Sequence, residues 1–360
     1  MWNRERTFII AEAGVNHNGS LDMAVQLVDA AADAGADVVK FQTFRAERLV
    51  TARARKAVYQ QNNTGSDGGQ LEMLRRLELS HDDHGALVRH CEARGIRFMS
   101  TAFDEESLDF LATLPMPAIK IPSGDITAGP LLWRAARLRR PLILSTGMAS
   151  LSDIEQALHV IAHAFLHDAA PASWHEIELA GWSDAGRAAL LERVVVLHCT
   201  TEYPAPAHDV NLRAMDVIAT AFGLPVGYSD HTLGVAVPLA AVARGACVIE
   251  KHFTLDRGLP GPDHVASLEP AEFKSMVQGI RTVEQALGTA AKRPVPSEQA
   301  NRSVARRSLV AAHAIGAADV LGADSLAFKR PGSGLSPMRY WDVLGRQAGV
   351  DLQDDDPLPW

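Results

Sequence analysis

The strongest constraint in this chain is an alternation. Short β-branched runs and segments of helical period follow one another eight times within roughly the first 280 residues. The strand candidates are 8–10, 38–41, 96–100, 118–121, 142–145, 194–198, 225–228 and 247–251. Apolar residues recur at helical spacing at Leu21, Ala24, Val25, Val28, Ala31 and Ala32, and Gly35 stops that helix. Further helical patterns cover 82–94, 104–113, 129–138, 152–166, 233–244 and 270–287. Strands separated by helices run parallel, and eight such units predict an α/β fold of the (β/α)8 type, a TIM barrel. An open doubly wound sheet is the alternative, but the glycine-rich GxGxxG turn after its first strand is missing.

At 360 residues the chain is longer than one barrel needs. We read 1–287 as the barrel and 288–301 (GTAAKRPVPSEQAN) as a linker, because it has no apolar period and two prolines. Residues 302–360 read as a small, loop-rich domain with short apolar pieces at 308–311 and 326–328. The segment 166–193, rich in Ala and Trp, reads as an insertion before the sixth strand, a surface loop plus a short helix.

Charge and composition exclude several functions. With 35 Lys and Arg against 43 Asp and Glu, the net charge is −8, which does not supply the field that nucleic-acid backbones require. Arg244 interrupts the longest apolar run, well short of the ~20 residues that span a bilayer. The start of the chain offers only Phe8-Ile9-Ile10 before Glu12, too little for a signal-peptide core. Cys91, Cys199 and Cys247 form no CxxC and cannot all pair, so a disulfide scaffold is excluded. The expectation is a cytoplasmic enzyme that binds neither nucleic acid nor membrane.

Active sites of such barrels lie at the C-terminal strand ends. Those ends carry Glu12, then Lys40 and Gln42, Ser100 and Thr101, Lys120 with Ser123 and Asp125, and Ser145 and Thr146. The later strands add His198 to Tyr203, Ser229 to His231, and Glu250 to His252. Charges inside strands are costly unless paired, which points to a catalytic mouth rather than a polar rim. Lys40, Lys120 and Lys251, with the hydroxyls and amides around Ser123 and Ser145, suit a small substrate bearing phosphate and carboxylate. The alternative is that Lys40 and Lys120 merely neutralise Glu12 and Glu250. His231 and His252 end neighbouring strands, and two imidazoles suit Mn2+, Co2+ or Zn2+. They could equally be structural histidines.

Several segments resemble the bacterial sialic acid synthases, a family that includes the legionaminate synthases. They are FIIAEAGVNHNGS (8–20), VVKFQTF (38–44), KAVYQ (56–60), QLEM (70–73) and STAFD (100–104). IKIPSGDI (119–126), ILSTGM (143–148), LHCTTEYPAP (197–206), GYSDHT (227–232), IEKHFTLD (249–256) and GPDH (261–264) continue the series. The tail, from RSL (307–309) to KRPGSG (329–334), resembles that family's antifreeze-like (SAF) domain. The resemblance implies condensation of phosphoenolpyruvate with N-acetylmannosamine and water to N-acetylneuraminate, with release of phosphate. The alternative acceptor is 2,4-diacetamido-2,4,6-trideoxymannose, which gives N,N'-diacetyllegionaminate.

By resemblance, His231 and His252 hold a divalent metal, Mn2+ with Mg2+ or Co2+ as alternatives. Lys40, Lys120, Ser123, Ser145 and Ser229 bind phosphoenolpyruvate and the groups around it. Glu12, Glu250 and Asp125 serve the chemistry beside His231. Gln42, Thr101, Phe103, Tyr203 and Asp263 line the sugar pocket. Arg330 reaches the sugar's N-acyl group from the partner in a domain-swapped homodimer; otherwise it is an ordinary surface charge. Three departures stand out: Asp125 where many members carry Glu, Thr201 where some carry Asn, and Ala102 where Pro is frequent. Synthases acting on aldose phosphates would need a second phosphate site, for which no basic cluster is evident. An ice-binding module is disfavoured by Lys329, Arg330 and Arg339 in the tail.

Overall fold

The computed structural model describes residues 6–64 and 68–359. Eight parallel strands close into a barrel in chain order, each hydrogen-bonded to the next and β8 back to β1. The first half runs β1 (Phe8–Gly14), α1 (Leu21–Ala34), β2 (Val38–Thr43), α2 (Ala46–Leu49), α3 (Val58–Thr64), α4 (Gln70–Arg75), α5 (His81–Arg94), β3 (Arg97–Ala102), α6 (Glu105–Ala112) and β4 (Ile119–Ile121). It continues with α7 (Gly129–Arg137), β5 (Leu142–Ser145), α8 (Leu151–Leu166), α9 (Trp174–Trp182), α10 (Asp184–Arg193) and β6 (Val194–Cys199). The barrel ends with α11 (Ala214–Phe222), β7 (Val226–Asp230), α12 (Ala236–Ala243), β8 (Val248–His252) and α13 (Pro270–Leu287).

Local chemistry sets these boundaries. Ser20 and Ser80 accept hydrogen bonds from Met23 N and Asp83 N at the starts of α1 and α5, satisfying amides that the first turn leaves free. Gly35 and Gly95 end the same helices in the left-handed region, at φ 83° and 68°. A barrel strand presents alternate residues to the interior and to the surrounding helices. Gly227 is required by a close approach, since a Cβ there would lie 2.6 Å from both Val248 O and a Leu197 methyl. The apolar residues of the strands and the inner faces of the helices form one continuous core.

Three segments carry helices that the sequence reading lacks. The stretch between β2 and α5 contains three short helices, α2 to α4, too brief to show a period. A helix missed between β6 and β7 is α11. The 166–193 segment is two helices rather than a loop with one, α9 and α10, capped by Ser173 and Ser183.

The chain divides into two compact units, Met1–Gly288 and Thr289–Trp360. The second contains α14 (Gln299–Ala305), the antiparallel pair β9 (Ser308–Ala311) and β10 (Leu326–Lys329), and α15 (Tyr340–Val343). Part of the expected linker is therefore helical. A separate core that includes Leu309, Ile315, Leu321, Val343 and Leu358 holds this unit together. Among the described residues no helix is long and apolar enough to cross a membrane.

Candidate active site

The C-terminal strand ends surround a cavity of about 450 Å3. Strand register assembles its floor: Glu12 of β1 lies beside Lys40 of β2 and His252 of β8, Thr101 beside Lys120, and Ser229 beside Glu250. Lys40 Nζ lies 2.6 Å from Glu12 Oε2 and 3.5 Å from Glu250 Oε2, and Lys120 Nζ lies 2.8 Å from Glu250 Oε1. Lys40 also donates to Thr101 Oγ1 at 3.0 Å, Gln42 Nε2 to Glu12 Oε1 at 3.3 Å, and Ser229 Oγ to Glu250 Oε1 at 3.0 Å. All four charged groups are at most 5% exposed.

Burial would raise Glu250, but Lys120 and Lys40 outweigh it and hold its carboxyl well below the ordinary range. Burial likewise opposes the charge on Lys40, yet Glu12 and Glu250 raise it above its usual value. Burial lifts Glu12, with Lys40 opposing and Glu250 adding to the rise, so Glu12 is the carboxylate of the cluster most ready to take a proton. The pairing expected of a structural network is thus present, but the lysines also line an open cavity, which a purely structural network does not need.

Ser123, Asp125 and Ser145 follow β4 and end β5 on the same cavity. Ser123 Oγ accepts from Gly147 N at 2.9 Å. Among the described residues Ser145 Oγ, Asp125 Oδ2 and Thr201 Oγ1 are buried without hydrogen-bond partners. Buried polar atoms are normally satisfied, so unpaired ones facing a cavity mark where a polar ligand fits. Burial raises Asp125 to about 6. It raises Asp263 to about 7, with Glu12 adding to the rise, which leaves a carboxylic acid able to donate near neutral pH.

His231 and His252 face each other with ring centroids 5.4 Å apart. His231 Nδ1 donates to Thr200 O at 2.6 Å, because a carbonyl can only accept; its Nε2 is thereby the unprotonated nitrogen of the neutral ring. Among the described residues nothing bonds His252 Nδ1, and burial, reinforced by His231 and Lys40, holds this imidazole far below its ordinary pKa. Burial opposes a charge on His231, but Cys199, the Thr200 carbonyl and Asp230 together raise it above its usual value. Once that proton is displaced, each ring has one free nitrogen for a divalent cation. Among the described residues no cluster of three or more His, Cys, Asp and Glu is arranged as a metal site.

Tyr203 packs 4.1 Å from the His231 ring and 4.9 Å from Tyr59, and Gln42, Phe103 and Asp263 complete the sides of the cavity. Lys251 does not join the lysine cluster. It lies outside the barrel lumen, 2.6 Å from Asp230 Oδ2 with both groups fully buried. The period of two explains this: Ser229 and Glu250 face inward, so Asp230 and Lys251 face outward. Arg330 is an exposed residue of the second unit.

The model of the NeuB family matches residues 27–292 of the chain, and that of the SAF domain matches 306–360. The chain belongs to the NeuB family. It is 46% identical over 352 residues to an N,N'-diacetyllegionaminic acid synthase of Campylobacter jejuni, covering 98% of both chains. It is 45% identical to a second protein of that description from Legionella pneumophila, covering 98% of this chain and 93% of the other. A crystal structure of an N-acetylneuraminic acid (sialic acid) synthetase from Leptospira borgpetersenii superposes with a TM-score of 0.66 at 31% identity, over 83% of this chain and 91% of that one.

Within this NeuB protein, sequence reasoning passed over some cavity residues. Cys199 lies 3.7 Å from His231 Nδ1, while Tyr59, Gln60 and Gln70 enter from α3 and α4. Tyr59, Gln60 and Gln70 belong to the KAVYQ and QLEM motifs, but nothing in their spacing places them over the barrel mouth.

Proposed function

We propose that the protein is an N,N'-diacetyllegionaminate synthase, condensing phosphoenolpyruvate with 2,4-diacetamido-2,4,6-trideoxymannose and water. The observation that carries this reading is the 46% and 45% identity, over 98% of the chain, to two synthases of that description. The sialic acid synthetase from Leptospira stands at 31%, so N-acetylmannosamine and N-acetylneuraminate take second place.

In the proposed reaction C3 of the enol forms a bond to the aldehyde carbon, water adds its oxygen to C2, and the C–O bond to phosphate breaks. Lys40, Lys120, Ser123 and Ser145 bind the phosphoenolpyruvate anion. Ionised donors in a water-poor floor are worth far more than the same groups in solvent. Glu12, kept basic by burial, takes up or returns a proton within reach of Lys40. Glu250 holds Lys40, Lys120 and Ser229 in place. Gln42, Thr101, Phe103, Tyr203 and Asp263 orient the acceptor, and Asp125 lines the phosphoenolpyruvate side. His231 and His252 would hold a divalent cation, Mn2+ or alternatively Mg2+ or Co2+, whose chemistry is to polarise the acceptor's aldehyde.

The family resemblance and the matched SAF domain support two finer elements of the proposal. One is a homodimer in which the partner's second unit completes the site; the other is that Arg330 meets the acceptor's N-acyl group. A cytoplasmic location follows from the supply of phosphoenolpyruvate.

The test is phosphate release with phosphoenolpyruvate and Mn2+, comparing the two acceptors and weighing the products. A higher kcat/KM for the trideoxy sugar supports the proposal. Faster turnover of N-acetylmannosamine makes the protein an N-acetylneuraminate synthase instead. Silence with both refutes both acceptors.

A further inference from the structure

The cavity has two chemically different sides. Its floor carries the lysines, carboxylates and imidazoles, whereas the side built between β2 and α5 is apolar. Leu49 and Val50, at the end of α2, and Met73 and Leu74, on α4, line it together with Leu77 and Phe103. These residues belong to a small hydrophobic cluster separate from the barrel core, anchored by Phe44 and Ala46. Leu49, Val50 and Met73 are only half-buried, so part of each side chain remains for a ligand to cover.

The charges of the same segments are directed elsewhere. Arg48 pairs with Glu106, Arg75 with Glu47 and Arg76 with Glu72, all on the exposed surface. Among the described residues, no charged group from this excursion lines the cavity; its polar contributions are Tyr59, Gln60 and Gln70. Gln70 Nε2 lies 3.4 Å from Gln60 Oε1, so two carboxamides stand beside the apolar surface. An apolar side flanked by amides complements a sugar end that carries a methyl group and an acetamido group.

We propose that Leu49, Val50 and Met73 receive the 6-deoxy end of the acceptor, and that this contact makes the enzyme discriminate 6-deoxy from 6-hydroxy sugars. The inference rests on the acceptor reading given above. The aldehyde must react on the charged floor, so the far end of the open six-carbon chain lies away from it, and we assign that end to the excursion because its lining is apolar. A terminal methyl group buries apolar surface there. A hydroxyl in its place is taken from water with no partner on Leu, Val or Met, and an apolar pocket rejects such an added hydroxyl by up to about 100-fold.

The experiment compares kcat/KM for 2,4-diacetamido-2,4,6-trideoxymannose and its 6-hydroxy counterpart, 2,4-diacetamido-2,4-dideoxymannose. The wild type should prefer the deoxy sugar by about 10-fold or more. Val50→Thr and Met73→Gln, which keep volume and add a polar group, should bring the ratio to within about 3-fold while leaving the KM for phosphoenolpyruvate unchanged. A wild-type ratio near one overturns the assignment without any variant. So does a ratio preserved in both variants when they melt like the wild type. If the wild type turns over neither sugar, the acceptor reading itself falls, and the assignment with it.

Discussion

Lys120 and Glu250 form a buried ion pair across the barrel, from β4 to β8, with Nζ 2.8 Å from Oε1. Glu250 also serves Lys40 and Ser229, so one carboxylate organises three cavity-lining groups. Removing one member of such a set costs more than the pair contributes, because the remaining charges stay buried and unpaired. Glu250→Ala should therefore cost about 3–5 kcal/mol and lower the melting temperature by about 6 °C or more. Lys120→Met combined with Glu250→Ala should recover part of that loss but none of the activity. A single variant that melts like the wild type would contradict the arrangement.

Gly147 shapes the β4–β5 side of the cavity, where we propose phosphoenolpyruvate binds, through its missing side chain. Its N–H donates to Ser123 Oγ at 2.9 Å, and a Cβ on it would collide with Thr201 Oγ1 and lie 2.9 Å from Ser123 Oγ. Gly147→Ala must therefore displace both hydroxyls. The KM for phosphoenolpyruvate should rise about 10-fold, the equivalent of one good hydrogen bond to a charged group. Steady-state kinetics with saturating acceptor measure this, and an unchanged KM would separate Ser123 from the substrate.

Asp125 makes stability depend on pH with a definite sign. Burial raises it from 3.8 to about 6, so the folded state holds this proton more tightly than the unfolded chain does. Its favourable contribution is complete below the unfolded pKa and is lost as pH rises through the folded value. Asp125→Asn, which never ionises, should therefore melt higher than the wild type at pH 7.5, by on the order of 2 °C after allowance for partial exposure. The gap should close by about pH 4. Melting curves at the two pH values measure it, and a variant less stable at pH 7.5 reverses the sign.

The barrel was legible because its strands and helices are long enough to show their periods, and because polar residues recur at one end of every strand. Glu12, Lys40, Lys120, Ser145, His231 and His252 all reach the cavity for that reason. Lys251 was misread by position alone; alternation along β8 puts it on the opposite face from Glu250, where Asp230 neutralises it. The excursion between β2 and α5 stayed opaque because helices of four to seven residues have too few turns to display an apolar stripe. Its apolar wall becomes visible only when Leu49 and Met73, distant in sequence, meet over the barrel mouth. In 166–193, the serines that start α9 and α10 were the available signal, hidden by the run of Ala and Trp.

Metal dependence gives the sharpest test of the imidazole pair. The protein offers His231 and His252 as nitrogen donors, and His231 is already oriented through Thr200 O, so a cation with open positions for oxygen ligands fits better than one needing a closed tetrahedral cage. Protein stripped with a chelator should lose turnover and regain it with Mn2+. His252→Gln should remain folded, because the lost Nδ1 has no hydrogen bond to break among the described residues, yet should bind Mn2+ at least about 10-fold more weakly. Manganese binding followed by electron paramagnetic resonance reads this directly, without relying on activity. Equal binding by the variant and the wild type would remove His252 from the metal site, and full turnover after stripping would remove the metal from the reaction.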